Sequence, residues 1–409
     1  MTQIRQKFTH YLTTVLPDIT AFCAKLLQTP SVNGLHAEIA VAEVIVAQAQ
    51  SLGLSTQIVG ENPQRPNVIV STAASGPTGL LLVGHLDTVP PGDPVHWTYP
   101  PFSGHLAKGR LFGRGAIDTK GGIAAALYAL AALTCIEDAL PHGRVQLICV
   151  PDEEAGATGT LGVKYLSRQG LLDGLGAIYA YSGDDITLGH RGVVRYQLTA
   201  RGQAAHTGIS GRRERSDGGM NAVTGLADLL LRLEQIKPSF SQQPYFDRFR
   251  PVITPGTLIS GGTAINIVPD IAEATIDVRT IPEFGLAEIE TLLQESLAAV
   301  VAQRPGLTLD YRLLNHLPPA LSDETAPLFE ILEQAVQQIK GVIPRRVAAG
   351  PANEGYLFIE RGIPIVCGFG PTGANAHAVD EYVEAESLVE AAAIFALTAS
   401  ELSRRFQLG

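Results

Sequence analysis

Histidines and carboxylates gather at five places in this chain, each at the end of an apolar strand-like run or inside a glycine-rich turn. His85 and Asp87 close LLVGHLDTVP, Asp118 sits in GRGAIDTKGG, and Glu153 and Glu154 end VQLICVPDEE. Asp184 and Asp185 follow AIYAYSG, and His377 lies in GANAHAVDEY. Imidazole and carboxylate without thiolate make a ligand set suited to zinc, cobalt or manganese. Each residue also has an ordinary explanation. Asp118 can cap the helix that begins at the following glycines, and a lone His85 can be a satisfied core histidine. The run Asp152, Glu153, Glu154 resists that reading, because adjacent acids repel unless a cation neutralises them. His377, between two alanines in a glycine-rich loop, has no evident structural task.

Such residues need strands to deliver them. From residue 18 to about 190, helical patterns such as HAEIAVAEVIVAQAQSLGL alternate with short β-rich runs, NVIVST, GLLLVGH, RVQLICVPDE and GAIYAYSG. That alternation predicts an α/β domain, a mostly parallel sheet with helices on both faces. In such sheets ligands bind outside the carboxyl ends of the strands, where the five places would converge. After Gly189 the order becomes β-α-β-β-α-β, from VVRYQLTARG to LTLDYRLL, a ferredoxin-like module. The α/β pattern then resumes. The expected division is 1–190, an inserted module over 191–315, and 316–409 returning to the first domain.

The totals agree with this plan. A chain of 409 residues exceeds one compact core. Apolar residues at 45% and charged residues at 17% suit a soluble globular protein. A net charge of −10 without a basic stripe argues against nucleic acid or an anionic membrane as partner. Cys23, Cys135, Cys149 and Cys367 are widely spaced, which speaks against a disulfide framework or a thiolate metal site. No secretory signal or membrane-length run stands out, so a cytoplasmic location is expected.

Taken in order, GHLDTVP, Trp97 with PPFSG, GRLFGRGAIDTKGG, PDEEAGATGT and AHAVDEYV resemble the dinuclear-zinc aminoacylase/carboxypeptidase G family, which includes acetylornithine deacetylase and succinyl-diaminopimelate desuccinylase. The resemblance spans nearly the whole chain, and the inserted module is similar to that family's lid or dimerisation domain. It implies two divalent metal ions, zinc first and cobalt or manganese next, bound by His85, Asp118, Glu154, Asp184 and His377. Asp118 would bridge them and Glu153 would be the general base. Asp87 would accept the second ring N–H of His85 and fix its tautomer. Here the chain departs from the pattern Glu-Pro-Thr common in the family. It has Gly183-Asp184-Asp185, and Asp185 is the alternative ligand.

The same resemblance assigns His206, in GQAAHTG, to oxyanion stabilisation from the partner protomer of a homodimer. Asn266 and Arg279 match positions that contact the oxyanion or a substrate carboxylate. Gly373, in the loop GPTGA, could offer backbone N–H groups to an anion, or the loop could simply deliver His377. Glu354, in GPANEGYLF, could favour a basic substrate side chain. The expected activity is hydrolysis of an N-acyl amino acid by metal-activated water. A dipeptidase or carboxypeptidase is the alternative within the family, and a catalytically inactive binding protein the alternative outside it.

Overall fold

The computed structural model describes residues 2–73, 75–140, 142–155, 159–210 and 217–406. Two compact units emerge. Residues 1–189, 321–347 and 353–409 form the first, and 190–320 with 348–352 form the second. The expected boundaries at 190 and 315 fall close to these, but a short stretch near residue 350 goes with the second unit rather than the first.

The first unit is built on a six-stranded sheet. Its strands are β1 (Ser55–Val59), β2 (Asn67–Ser71), β3 (Thr78–His85), β4 (Arg144–Val150), β5 (Gly176–Tyr179) and the short strand Ile365–Val366. They lie in the order β1-β2-β4-β3-β5 followed by Ile365–Val366. The pairs β4–β3, β3–β5 and β5 with Ile365–Val366 are parallel, while β1–β2 and β2–β4 are antiparallel. Every residue of β3 is buried, as a continuous apolar run in a covered sheet requires, whereas the edge strand β1 is partly exposed.

Behind this sheet lies the helix Gly121–Cys135, GGIAAALYALAALTC, almost wholly buried. The stretch Ala116–Cys135 is long and apolar enough to cross a membrane by composition, which the sequence reading overlooked. Its burial explains that composition: small alanines let it pack against the helix Ala385–Phe406 and against β3 and β4. The helix starts at Gly121 without a side-chain cap, so Asp118 does not serve as one. Cys23, Cys149 and Cys367 are buried and Cys135 is exposed, all four as free thiols.

The second unit follows the order β6 (Gly192–Arg201), helix Ala222–Glu234, β7 (Val252–Gly261), β8 (Ile271–Thr280), helix Leu286–Gln303 and β9 (Thr308–Leu317). Its antiparallel sheet runs β7-β8-β6-β9. β8 alternates buried and half-buried residues along its length, the period-two signature of a sheet with one covered face. Tyr196, Leu198, Ile276 and Val278 meet Leu226, Leu229 and Leu293 from the two helices in one core. Burying each such leucine contributes about 1.5–3 kcal/mol before ordering costs. Asn221 caps the first helix by accepting from Thr224 N–H at 3.1 Å. The edge strand β7 leaves Leu258 and Ile259 exposed, at 71% and 61%.

Candidate metal centre

His85 is the last residue of β3 and is fully buried. Its Nδ1 lies 2.8 Å from the main-chain oxygen of Asp87, and its Nε2 lies 2.8 Å from Asp118 Oδ1. Both ring nitrogens thus face an oxygen. A protonated ring satisfies that arrangement, and so does a metal ion between Nε2 and Asp118. Burial opposes the charged ring, but the hydrogen bond to Asp118 and the nearby Asp87 carboxylate carry its pKa well above the ordinary imidazole range.

The carboxylate of Asp87 does different work from that expected. Its Oδ1 is 3.6 Å from His85 Nδ1, and the ring N–H goes to the Asp87 carbonyl instead. The carboxylate accepts from the backbone N–H groups of Glu153 (3.2 Å) and Glu154 (2.9 Å) and from Asn33 Nδ2 (2.6 Å). It anchors the acidic turn beyond β4.

Asp118 is held by two other elements. Glu381 accepts from the backbone N–H groups of Gly115 (3.0 Å), Ile117 (3.0 Å) and Asp118 (3.2 Å), and it also pairs with the buried guanidinium of Arg114. Thr119 Oγ1 accepts from His85 N–H at 2.9 Å, tying the Asp118 turn to the end of β3. The Asp118–Thr119 peptide is cis. Gly122 lets the following helix approach the exit of β5, since a Cβ there would stand 1.7 Å from the Ala180 oxygen. Burial favours the protonated acid, but hydrogen bonds from His377 and His85 hold the Asp118 carboxyl well below the usual range.

The three successive acids after β4 are separated by their partners rather than clustered. Asp152 pairs with Arg65 at 3.3 Å. Glu153 Oε1 accepts from the Tyr181 hydroxyl at 2.6 Å, and burial pushes its carboxyl up to about 7. Glu154 Oε1 lies 2.9 Å from His377 Nε2, which is also 3.2 Å from Asp118 Oδ2. His377 sits in a turn at φ +62°, a left-handed conformation unusual outside glycine, and its side chain is half exposed. Hydrogen bonds to Asp118 and Glu154 raise its pKa to about 10.

Four predicted donors therefore converge: His85, Asp118, Glu154 and His377. Asp184 does not join them. Its carboxylate is half exposed and pairs with Lys340, while Asp185 accepts from Arg345 Nη2 at 2.6 Å. The reason is local. β5 ends at Tyr179, and Gly183, at φ +97°, turns the chain before the acids arrive. Gly373 is a packing glycine: a Cβ there would stand 2.1 Å from the Tyr382 oxygen. Glu354 is buried, its Oε2 lacks a hydrogen-bond partner among the described residues, and burial pushes its carboxyl well above the ordinary range.

His206, Asn266 and Arg279 belong to the second unit. There Thr207 N–H donates to the Asn266 carbonyl at 3.1 Å, and His206 bridges Ile267, so the first two are neighbours. His206 Nδ1 accepts from Gly208 N–H at 3.0 Å, which puts the ring proton on Nε2, on an exposed side chain. Arg279 Nε donates to Asp277 Oδ1 at 2.8 Å, and Asp277 also accepts from Arg195 Nε at 2.8 Å. Its guanidinium is partly committed within the sheet.

Residue-type reasoning did not find Tyr181, Glu381 or Asn33. Glu381 lies four residues after His377, inside a motif already singled out, so its placement was the available signal. Nothing around Asn33 pointed to Asp87.

One ligand atom each from His85, Asp118 and Glu154 lie within 4.8 Å of one another, a span that one ion can bridge. In this trio two carboxylates face one imidazole, so a cation offsets their charge as well as fitting their geometry. The donor types fit zinc, cobalt or manganese.

Comparison with known proteins agrees with this site. The model of Peptidase family M20/M25/M40 matches residues 81–401. A succinyl-diaminopimelate desuccinylase of Cereibacter sphaeroides is 30% identical over 391 residues, covering 92% of this chain and 97% of that protein. An M20 family metallo-carboxypeptidase of Sulfolobus solfataricus shares the fold with a TM-score of 0.74 at 18% identity, over 93% of this chain and 98% of that one. A dinuclear metal-binding M20 peptidase of Bacillus subtilis does so with a TM-score of 0.70 at 17% identity, over 96% of this chain and 99% of that one. Since the matched residues include every one of the four converging donors, this chain belongs to peptidase family M20/M25/M40.

Proposed function

We propose that this chain is a metal-dependent amidohydrolase that removes an acyl group from the nitrogen of an amino acid, in the manner of the succinyl-diaminopimelate desuccinylases it resembles. The observation that carries the reading is the convergence of His85, Asp118, Glu154 and His377 beside the buried carboxyl of Glu153. These four would hold a divalent ion, with zinc as first choice and cobalt or manganese as chemical equivalents. Such an ion supplies the Lewis acidity that lowers the pKa of water from that of the bulk toward ~7.

The chain's own residues do the rest. Glu153, raised toward neutrality by burial, is suited to taking a proton from water and returning it later. Water oxygen bonds to the amide carbon, the C–N bond breaks, and the proton held by Glu153 passes to the departing nitrogen. The second water proton also ends on the nitrogen, and a carboxylate and an ammonium group result. Tyr181 holds Glu153 in place and Asp87 fixes the turn that carries it. His206 is the proposed oxyanion donor, supported by its exposed Nε2–H, with Asn266 and Arg279 as contacts for a substrate carboxylate. A homodimer through the second unit is supported by the edge strand β7, whose exposed Leu258 and Ile259 suit pairing with a second copy.

The test is an assay of the chain reconstituted with zinc, cobalt or manganese against N-succinyl and N-acetyl amino acids and dipeptides, scoring amine release. Succinyl or acetyl release that stops on chelation and returns with metal is the expected result. Cleavage of dipeptides alone moves the assignment to the peptidase alternative, favoured by the carboxypeptidase-like fold. No hydrolysis with metal bound overturns the reading.

A further inference from the structure

The two sides of the centre are not equally furnished. On one side Asp118 Oδ2, Glu154 and His377 come together, three protein donors. On the other, His85 faces Asp118 Oδ1, and among the described residues no donor joins it beyond Asp118 and Glu154, which the first side already uses. The strand that should supply it is β5, which runs parallel to β3 with Tyr179 opposite Val83. Ala180 N–H extends the pairing to the Val83 oxygen at 2.7 Å. Two residues beyond Tyr179, level with His85, stands Tyr181. Its ring centroid is 5.7 Å from that of His85 and 4.6 Å from that of Tyr179, on which it stacks.

Neighbouring acids do not make up the deficit. Asp87 is buried, its carboxylate engaged by Glu153 N–H, Glu154 N–H and Asn33. Glu153 accepts from the Tyr181 hydroxyl. Asp184 and Asp185 are paired with Lys340 and Arg345. A catalytic zinc site takes three protein ligands and leaves a position open. The Glu154–His377 side meets that requirement and the His85 side does not. Two ions sharing one carboxylate would sit about 3.5–4 Å apart, where their repulsion must be offset by carboxylate on both sides. The His85 side has its imidazole, carboxylates shared with the other side and a phenol, but no acid of its own among the described residues.

We infer that this centre holds one divalent ion tightly, at Asp118, Glu154 and His377 with His85 beside them, and that Tyr181 occupies the place of the acid a second ion would need. The inference rests on the reading of these residues as metal ligands, but it departs from the two-ion arrangement that the family resemblance implies.

Manganese titration of the full chain, followed by metal analysis and electron paramagnetic resonance, tests it without reference to turnover. The expected result is one tightly retained equivalent per chain, with the hyperfine-split signal of an isolated ion. Two equivalents of similar affinity with an exchange-coupled signal overturn the single-ion inference and leave the metal-centre reading standing. Failure to retain manganese, zinc or cobalt overturns both. Tyr181→Glu supplies the missing carboxylate, and it is expected to add a second equivalent and the coupled signal, both lost again when His85→Ala is added. A folded Tyr181→Glu chain, checked by its thermal melt, that stays at one equivalent overturns the assignment of Tyr181.

Discussion

β3 and β5 lie side by side and point the same way, yet they end differently. β3 finishes on His85, and both it and Asp87 are completely buried, with their polar atoms engaged by the cluster and the turn beyond β4. β5 finishes on a tyrosine pair and releases its acids to the surface, where Asp184 is 52% exposed against Lys340. Both strand ends carry acids a few residues on. What separates them is where the last paired residue falls and which way the chain then turns. A carboxylate two residues past the strand end is still governed by the sheet, whereas one beyond a left-handed glycine is governed by the surface.

The sharpest way to break this contrast is at the neighbouring end of β4. Glu153→Gln should keep its metal and lose about 10²–10⁴-fold in turnover. Steady-state kinetics beside metal analysis checks it, and near-normal turnover would remove Glu153 as the base. Next comes Glu381→Ala, which strips the acceptor from the Asp118 turn and leaves Arg114, 2% exposed, without its counter-charge. Denaturant unfolding should show a loss of about 3–5 kcal/mol. A loss under about 1 kcal/mol, the scale of a surface pair, would mean that the turn stands without Glu381.

Asp87→Asn probes the β3 end by pH. Burial raises the Asp87 carboxyl, but the adjacent His85 ring and the hydrogen bonds of Asn33 and the Glu154 N–H outweigh it and leave the pKa below the ordinary value. A folded-state pKa below the unfolded one gives stability that is whole above about pH 4 and is lost as pH falls through the folded value. The wild-type chain should therefore lose more stability than Asp87→Asn between about pH 5 and pH 3. Parallel melting curves for the two chains would show the pair to be uncoupled. The smallest effect is expected at the β5 end. Asp184→Asn removes a half-exposed ion pair and should cost no more than about 1 kcal/mol with metal content unchanged. Loss of metal in that variant would return Asp184 to the centre.

How much of this was legible in the sequence follows the same division. His85, Asp118, Glu154 and His377 could be picked out because each sits at the end of an apolar run or in a glycine-rich turn, where the type and spacing of residues are informative. The α/β alternation and the inserted β-α-β-β-α-β module were legible for the related reason that their periodicities differ. Asp184 was chosen as the first acid after AIYAYS, but hydrophobic pattern does not say that pairing stops at Tyr179 or that Gly183 adopts a positive φ. Tyr181 reads as one more aromatic of a strand until β3 is laid beside it. The work of Glu381 and Asn33 is to satisfy backbone and carboxylate groups across distant segments, which local sequence does not encode.

The helix Ala385–Phe406 packs along Gly121–Cys135, and His377 comes only just before it, whereas His85, Asp118 and Glu154 all precede the second unit. During synthesis, which releases the chain from its N-terminus, three donors emerge before the second unit and the fourth only after it. A cation that meets the growing chain finds two carboxylates and one imidazole without their closing partner. Because metal binding and folding draw on the same free energy, the centre gains its full hold on an ion only when His377 reaches Asp118 and Glu154. Metal capture is thereby coupled to the return of the chain to the first unit.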